Sequence, residues 1–182
     1  MRFCLPPIAC CLFIVFSSCK SKIDYSKEIS QLDSAETRLK ATEKVFLAAD
    51  TTSLRSAYDS AQKKLNSIGE IISKDTVTKN TAIFLSAIYE QTGNIRNLLE
   101  NKNDLKKAVK DSRERISNLK HDLTENLIEQ NKSAGYIVNE INASQKVCET
   151  ADKAIEKAKA AAIKLDSMKT RIEFIADSLN SK

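Results

Sequence analysis

The chain has 182 residues, of which 29% are charged and 5% aromatic, with no Trp; that composition excludes a thick core built on large aromatic anchors. A net charge of +5, spread along the chain, excludes a basic lobe of the kind that binds nucleic acid. Both prolines fall at Pro6 and Pro7 and glycine occurs only at Gly69, Gly93 and Gly135, so the remainder has little turn chemistry and reads as helix.

Residues 1–18 differ in character from everything after them. Arg2 supplies a positive start, Ile8 to Phe16 is unbroken apolar sequence, and Ser17-Ser18 lead into Cys19, Lys20 and Ser21. The apolar stretch is too short to span a bilayer, and a positive start, a short apolar middle and small residues before a cut describe a secretory signal. After its removal Cys19 and Cys148 are the remaining cysteines. No disulfide framework is therefore expected, and Cys148 reads as a buried helix-face residue.

The segment Phe16-Ser17-Ser18-Cys19 resembles the lipobox of bacterial lipoproteins, with Phe16 where Leu is usual. The resemblance covers about 20 residues. It implies that the signal peptide is cut before Cys19, that the Cys19 sulfur receives a diacylglycerol, and that the new amino terminus is acylated. Each buried CH₂ contributes roughly 0.8 kcal/mol, so several chains hold a protein on a membrane where one does not. Residues 19–24 then form a lipidated tether, and residues 25–182 a helical domain.

Within that domain apolar residues recur in steps of four and three. The first stretch runs Tyr25, Ile29, Leu32, Ala35, Leu39, Thr42, Phe46, Ala49 and the second Leu54, Tyr58, Ala61, Leu65, Ile68, Ile72. Asp50-Thr51-Thr52-Ser53 lies between them, rich in capping residues, and predicts a bend or short break. Asp75-Thr76-Val77-Thr78 marks a turn. A third stripe runs from Phe84 through Ile88, Gln91, Ile95, Leu98, Lys102 and Leu105 to Leu123 and Asn126, its polar members setting register. After Glu129-Gln130-Asn131-Lys132-Ser133 a last stripe includes Ile137, Ile141, Ser144, Cys148, Ala151, Ile155, Ala158, Ala162, Leu165 and Ile172. The helices are predicted at 25–73, 79–127 and 132–180. Each is about 73 Å long at 1.5 Å per residue. Matched lengths joined by short polar turns predict an all-α, elongated antiparallel three-helix bundle, a coiled coil in its packing.

Little chemistry stands out. His121, the lone histidine, lies between Lys120 and Asp122 on a helix, with no cluster of Cys, His and carboxylates around it and no nucleophile–base pair in sight. No phosphate cradle or nucleophile elbow is visible, so the sequence reads as no enzyme, with no cofactor and no metal. Glu36–Lys40, Asp59–Lys63, Asp111–Arg115 and Glu149–Lys153 have the i,i+4 order that supports a helix. Between Lys102 and Lys120 basic residues outnumber acidic ones, and Lys106, Lys110 and Arg113 could line one face toward an anionic lipid or glycan; the alternative is a solvated face.

Asp followed by Ser or Thr and then a small or apolar residue occurs six times: at Asp33, Asp50, Asp59, Asp75, Asp166 and Asp177. Composition alone predicts about one. The pattern resembles the acceptor motif for general O-glycosylation of exported proteins in certain gram-negative bacteria, and Thr51 and Thr76 are the candidates at predicted breaks.

The chain thus resembles the helical coiled-coil lipoproteins of gram-negative envelopes. The resemblance implies a structural or adaptor protein held to the membrane by its N-terminal lipid and docking an envelope protein partner along a helix face. Self-association is a further option. Lys20, where Asp would retain a lipoprotein in the inner membrane, implies the outer membrane, and the lack of an acidic run after Cys19, a run linked to surface export in some lineages, implies the periplasmic face. Two alternatives stay open: a periplasmic holdase-type chaperone, and a peptidoglycan-tethering lipoprotein joined through the terminal Lys182.

Overall fold

A computed structural model describes residues 23–72 and 78–180. All regular structure among them is α-helical: α1 (Ser26–Leu47), α2 (Thr51–Ile72), α3 (Lys79–Thr124) and α4 (Gln130–Asn180). No described helix is long and apolar enough to cross a membrane. The signal-peptide and tether residues up to Lys22, Cys19 among them, lie outside the described residues.

Local side chains explain where each helix starts and stops. The Asp24 carboxylate accepts from the Ser26 amide at 2.9 Å beside the first turn of α1. That backbone hydrogen bond is the main reason its pKa lies below the ordinary aspartate value. The break between α1 and α2 spans Ala48–Asp50 and contains neither Gly nor Pro. Asp50 creates it: one carboxylate oxygen takes the amides of Thr52 at 3.1 Å and Ser53 at 3.0 Å, so the chain restarts as a new helix. Thr78 caps α3 in the same way through the amide of Thr81.

Helix α3 stops at Thr124 rather than near 127, because Asn126 adopts a left-handed conformation, φ 53°. The Leu127 amide bonds the Asp122 carbonyl and the Asn126 amide that of Leu123, which is the Schellman arrangement with Asn in the role Gly usually takes. Asn126 is therefore a turn residue and not a member of the seam, and α4 begins at Gln130, two residues earlier than the polar stretch predicts. The Asn126 side chain also accepts from the Ile23 amide at 3.0 Å, fixing the start of α1 beside the α3–α4 turn.

Helices α1 and α2 each pack on both α3 and α4, and make no lateral contact with one another. Side-chain pairs give the directions. Partners on α3 fall in number as those on α1 and α2 rise: Glu36 with Lys120, Glu43 with Arg113, Thr51 with Lys102. Helix α3 likewise meets α4 in reversed order, Arg115 with Glu140 and Phe84 under the Arg171 guanidinium. Along α4 the order matches that of α1 and α2, Arg38 with Asp152 and Lys64 with Glu173.

Two apolar clusters form the interior. One joins α1 to the C-terminal half of α3 and the N-terminal half of α4 through Leu32, Leu39, Val109, Ile116, Leu123 and Cys148. The other joins α2 to the remaining halves through Leu54, Leu65, Ile68, Ile88, Ile95 and Leu165, and takes in Phe46 from the end of α1. Ala151, Ala158 and Ala161 are fully buried there, and their short side chains let neighbouring helices approach closely. Ala161, and not Ala162, fills the innermost position; Ala162 is half-buried beside it.

Candidate functional site

A concavity between α1 and α4 follows from undersized side chains. Ser34 and Ala35 on α1 face Ser144 and Cys148 on α4, and the space they leave is a groove of about 660 Å³. Its rim is polar, with Arg38, Gln145 and Glu149, while Val138 adds an exposed apolar wall. The apolar stripes place Ala35, Ser144 and Cys148 on helix seams but do not predict a groove. Its legible trace was Ala35 and Ser144 standing in stripes otherwise filled by Leu and Ile.

Cys148 is a free thiol at 1% exposure, packed in the α1-side cluster. Buried polar groups gather around the same half: the Ser144 hydroxyl donates to the Ile141 carbonyl at 2.7 Å, whereas the hydroxyls of Tyr25, Thr42 and Ser112 have no partner.

The basic run of α3 does not present one free face. Arg113 is partly buried and turned to Glu43 on α1, Lys120 holds both Asp33 and Glu36, and Arg115 reaches Glu140 on α4. Lys110 lies 3.6 Å from Glu114 on its own helix, and Lys106 and Lys107 stand in solvent. Arg113, Arg115 and Lys120 therefore stitch α3 to its neighbours, while Lys106, Lys107 and Lys110 remain on the surface. The Glu36 carboxyl is held below the ordinary glutamate range, first by the hydrogen bond from Lys40 and then by that from Lys120. The Lys120 ammonium is correspondingly held above its ordinary value, first by Asp33 and then by Glu36. Of the four i,i+4 pairs expected from sequence, Glu36–Lys40 closes at 2.6 Å. Arg115 chooses Glu140 over Asp111, and Glu149 takes its hydrogen bond from Gln145.

His121 is exposed in the last turn of α3. Among the described residues no group of Cys, His, Asp and Glu is placed to hold a metal ion. Thr51, one of the two glycosylation candidates, is the first residue of α2 and half-buried, and its hydroxyl oxygen accepts from Lys102 Nζ at 3.2 Å. Thr76, Cys19 and Lys182 lie outside the described residues. Three serines of the repeated motif bond their own helix, Ser34 to the Ser30 carbonyl, Ser167 to that of Lys164 and Ser178 to that of Ile175.

No protein-family model matches the chain, and neither a curated protein nor a solved structure shows significant similarity to it.

Proposed function

We propose that this chain is a lipid-anchored cell-envelope protein, structural or adaptor in role, whose helical domain is an elongated antiparallel three-helix bundle. Helices α1 and α2 together make one stave, α3 the second and α4 the third. The opposed order of side-chain partners between α3 and the other helices supports this arrangement, and so does the lack of lateral contact between α1 and α2.

The observation that carries the functional reading is the Phe16-Ser17-Ser18-Cys19 segment, directly ahead of a short polar tether and a helical domain. The Ile23–Asn126 hydrogen bond adds a direction: the tether leaves the domain beside the α3–α4 turn, so the α2–α3 connection is the membrane-distal end. A 51-residue α4 is about 76 Å long and sets the reach of the domain. Exposed apolar side chains on α4, among them Tyr136, Val138, Ile163 and Phe174, at 51–72% exposure, give a protein partner its points of attachment.

The experiment is fractionation of cells carrying the wild-type chain or Cys19→Ala. The wild type enters the outer-membrane fraction and the variant leaves it; an unchanged distribution rejects the anchor. In-cell crosslinking followed by mass spectrometry then identifies the docked protein. O-glycosylation at Thr51 or Thr76 belongs to the same reading as a secondary proposal, and peptides covering both sites at their bare mass would dismiss it.

A further inference from the structure

We infer that the groove between α2 and α3, just past the α1–α2 break, binds a phosphate-bearing ligand. The groove is an open trough of about 680 Å³. Arg55, Lys63 and Lys102 line it, against one lining carboxylate, Asp59. Five cations elsewhere, Lys120, Arg113, Lys64, Arg38 and Arg115, are met by acids on a facing helix, and Arg171 of α4 lies over the Phe84 ring of α3. None of the three cations here has such a partner among the described residues; Lys102 instead donates to the Thr51 hydroxyl.

Lys102 is the decisive member. It occupies a seam position of α3 and is partly buried, where an aliphatic residue would pack better and a charge without a counter-ion is unfavourable. Its ammonium carries three donors, so donors remain beyond the one used on Thr51. The Thr51 oxygen acts as acceptor in that bond, which leaves its own proton to donate, and the hydroxyls of Ser56 and Ser60 line the same groove. Three cations interleaved with hydroxyl donors, in excess over the single carboxylate of Asp59, match an oxyanion with several acceptor oxygens. The backbone amides at the start of α2 play no part, because Asp50 already occupies those of Thr52 and Ser53.

The phosphate could belong to a soluble phosphorylated compound or to a lipid headgroup. Thr51 lies 25 residues beyond Ser26, about 38 Å along the helical path, several Debye lengths at physiological salt. An upright anchored domain would therefore meet the soluble form, and a domain lying along the bilayer the headgroup.

The test is calorimetric titration of the full chain in a neutral detergent at constant ionic strength. One arm uses inorganic pyrophosphate; the other uses phosphatidylglycerol added to the micelles, with phosphatidylcholine as reference. The expected result is binding in at least one arm, weakened about tenfold or more by Lys102→Met and unchanged by Lys157→Met on the opposite, α3–α4 groove. Binding in the pyrophosphate arm assigns the soluble source, and binding of phosphatidylglycerol alone assigns the lipid. Arg55→Gln, on an exposed position, repeats the measurement without touching the seam should Lys102→Met alter folding. No heat in either arm, or equal affinity for the Lys102, Arg55 and Lys157 variants, overturns the proposal.

Discussion

Helices α1 and α2 are each 22 residues long and lie on the same two partners, yet they are held by different means. On the α1 side the apolar cluster is the smaller one, hydroxyls of Thr42 and Ser112 are buried without partners, and ion pairs to α3 and α4 do much of the positioning. On the α2 side the cluster is larger and alanines of α4 bring the backbones close, with Lys64–Glu173 as the cross-helix ion pair. Apolar burial is non-directional and supplies stability, whereas charge pairs fix register and supply little net energy when half-exposed. The α1 half is thus specified more than it is stabilised, and the α2 half the reverse.

The same truncation in both halves gives the largest expected effect. Leu65→Ala and Leu32→Ala remove equivalent side chains at 1% and 0% exposure. Each should destabilise within roughly 2–5 kcal/mol, with Leu65 toward the upper end and Leu32 toward the lower, because Leu65 belongs to the larger apolar cluster and its loss leaves more apolar neighbours without a contact. Chemical denaturation of the two variants reads this directly; equal losses would remove the contrast. Asp50→Ala comes next. Loss of the cap should cost about 1 kcal/mol and raise amide exchange in the first turn of α2, while exchange in mid-α3 stays unchanged.

A smaller effect depends on pH. Because the folded pKa of Glu36 is depressed, its contribution is complete above the ordinary glutamate value of about 4.3 and disappears as pH falls through the lower folded value. The contribution of Lys120, whose pKa is raised, is complete below about 10.4 and disappears as pH rises through the higher folded value. Glu36→Gln should therefore cost up to about 1 kcal/mol at pH 7 and progressively less as the pH falls into the acid range and the carboxylate is protonated, measured as the difference in thermal midpoint from wild type at each pH. A constant difference would contradict the assignment. Smallest of all, Ser112→Ala should be neutral or stabilising by up to about 1 kcal/mol, since it deletes a buried hydroxyl that bonds nothing.

Much of this was legible in the sequence, for reasons that are local. The helical class follows from stripes such as Ile88, Ile95 and Leu98, and the interruption after α1 follows from Asp50 and the hydroxyl residues behind it. What was not legible depends on partners far along the chain. Asn126 fits the spacing of the α3 stripe as well as it fits a turn, and its left-handed conformation is settled by the chain folding back toward Ile23. Arg113 reads as part of a basic face, and Lys120 as part of the same local excess of charge, because their acids, Glu43 and Glu36, lie 70 and 84 residues away. The choice of Ala161 over Ala162 is a one-position rotation of α4 that the three adjacent alanines at 160–162 leave undecided until the facing helices are in place.

The proposed envelope role stands on the chemistry of a single amino terminus. Mass spectrometry of the N-terminal peptide from protein extracted from cells gives the most direct reading. The expected product begins at Cys19 and carries a thioether-linked diacylglycerol together with an amide-linked fatty acid. A peptide that still contains Ser17-Ser18, or one starting at an unmodified Cys19, would contradict the account.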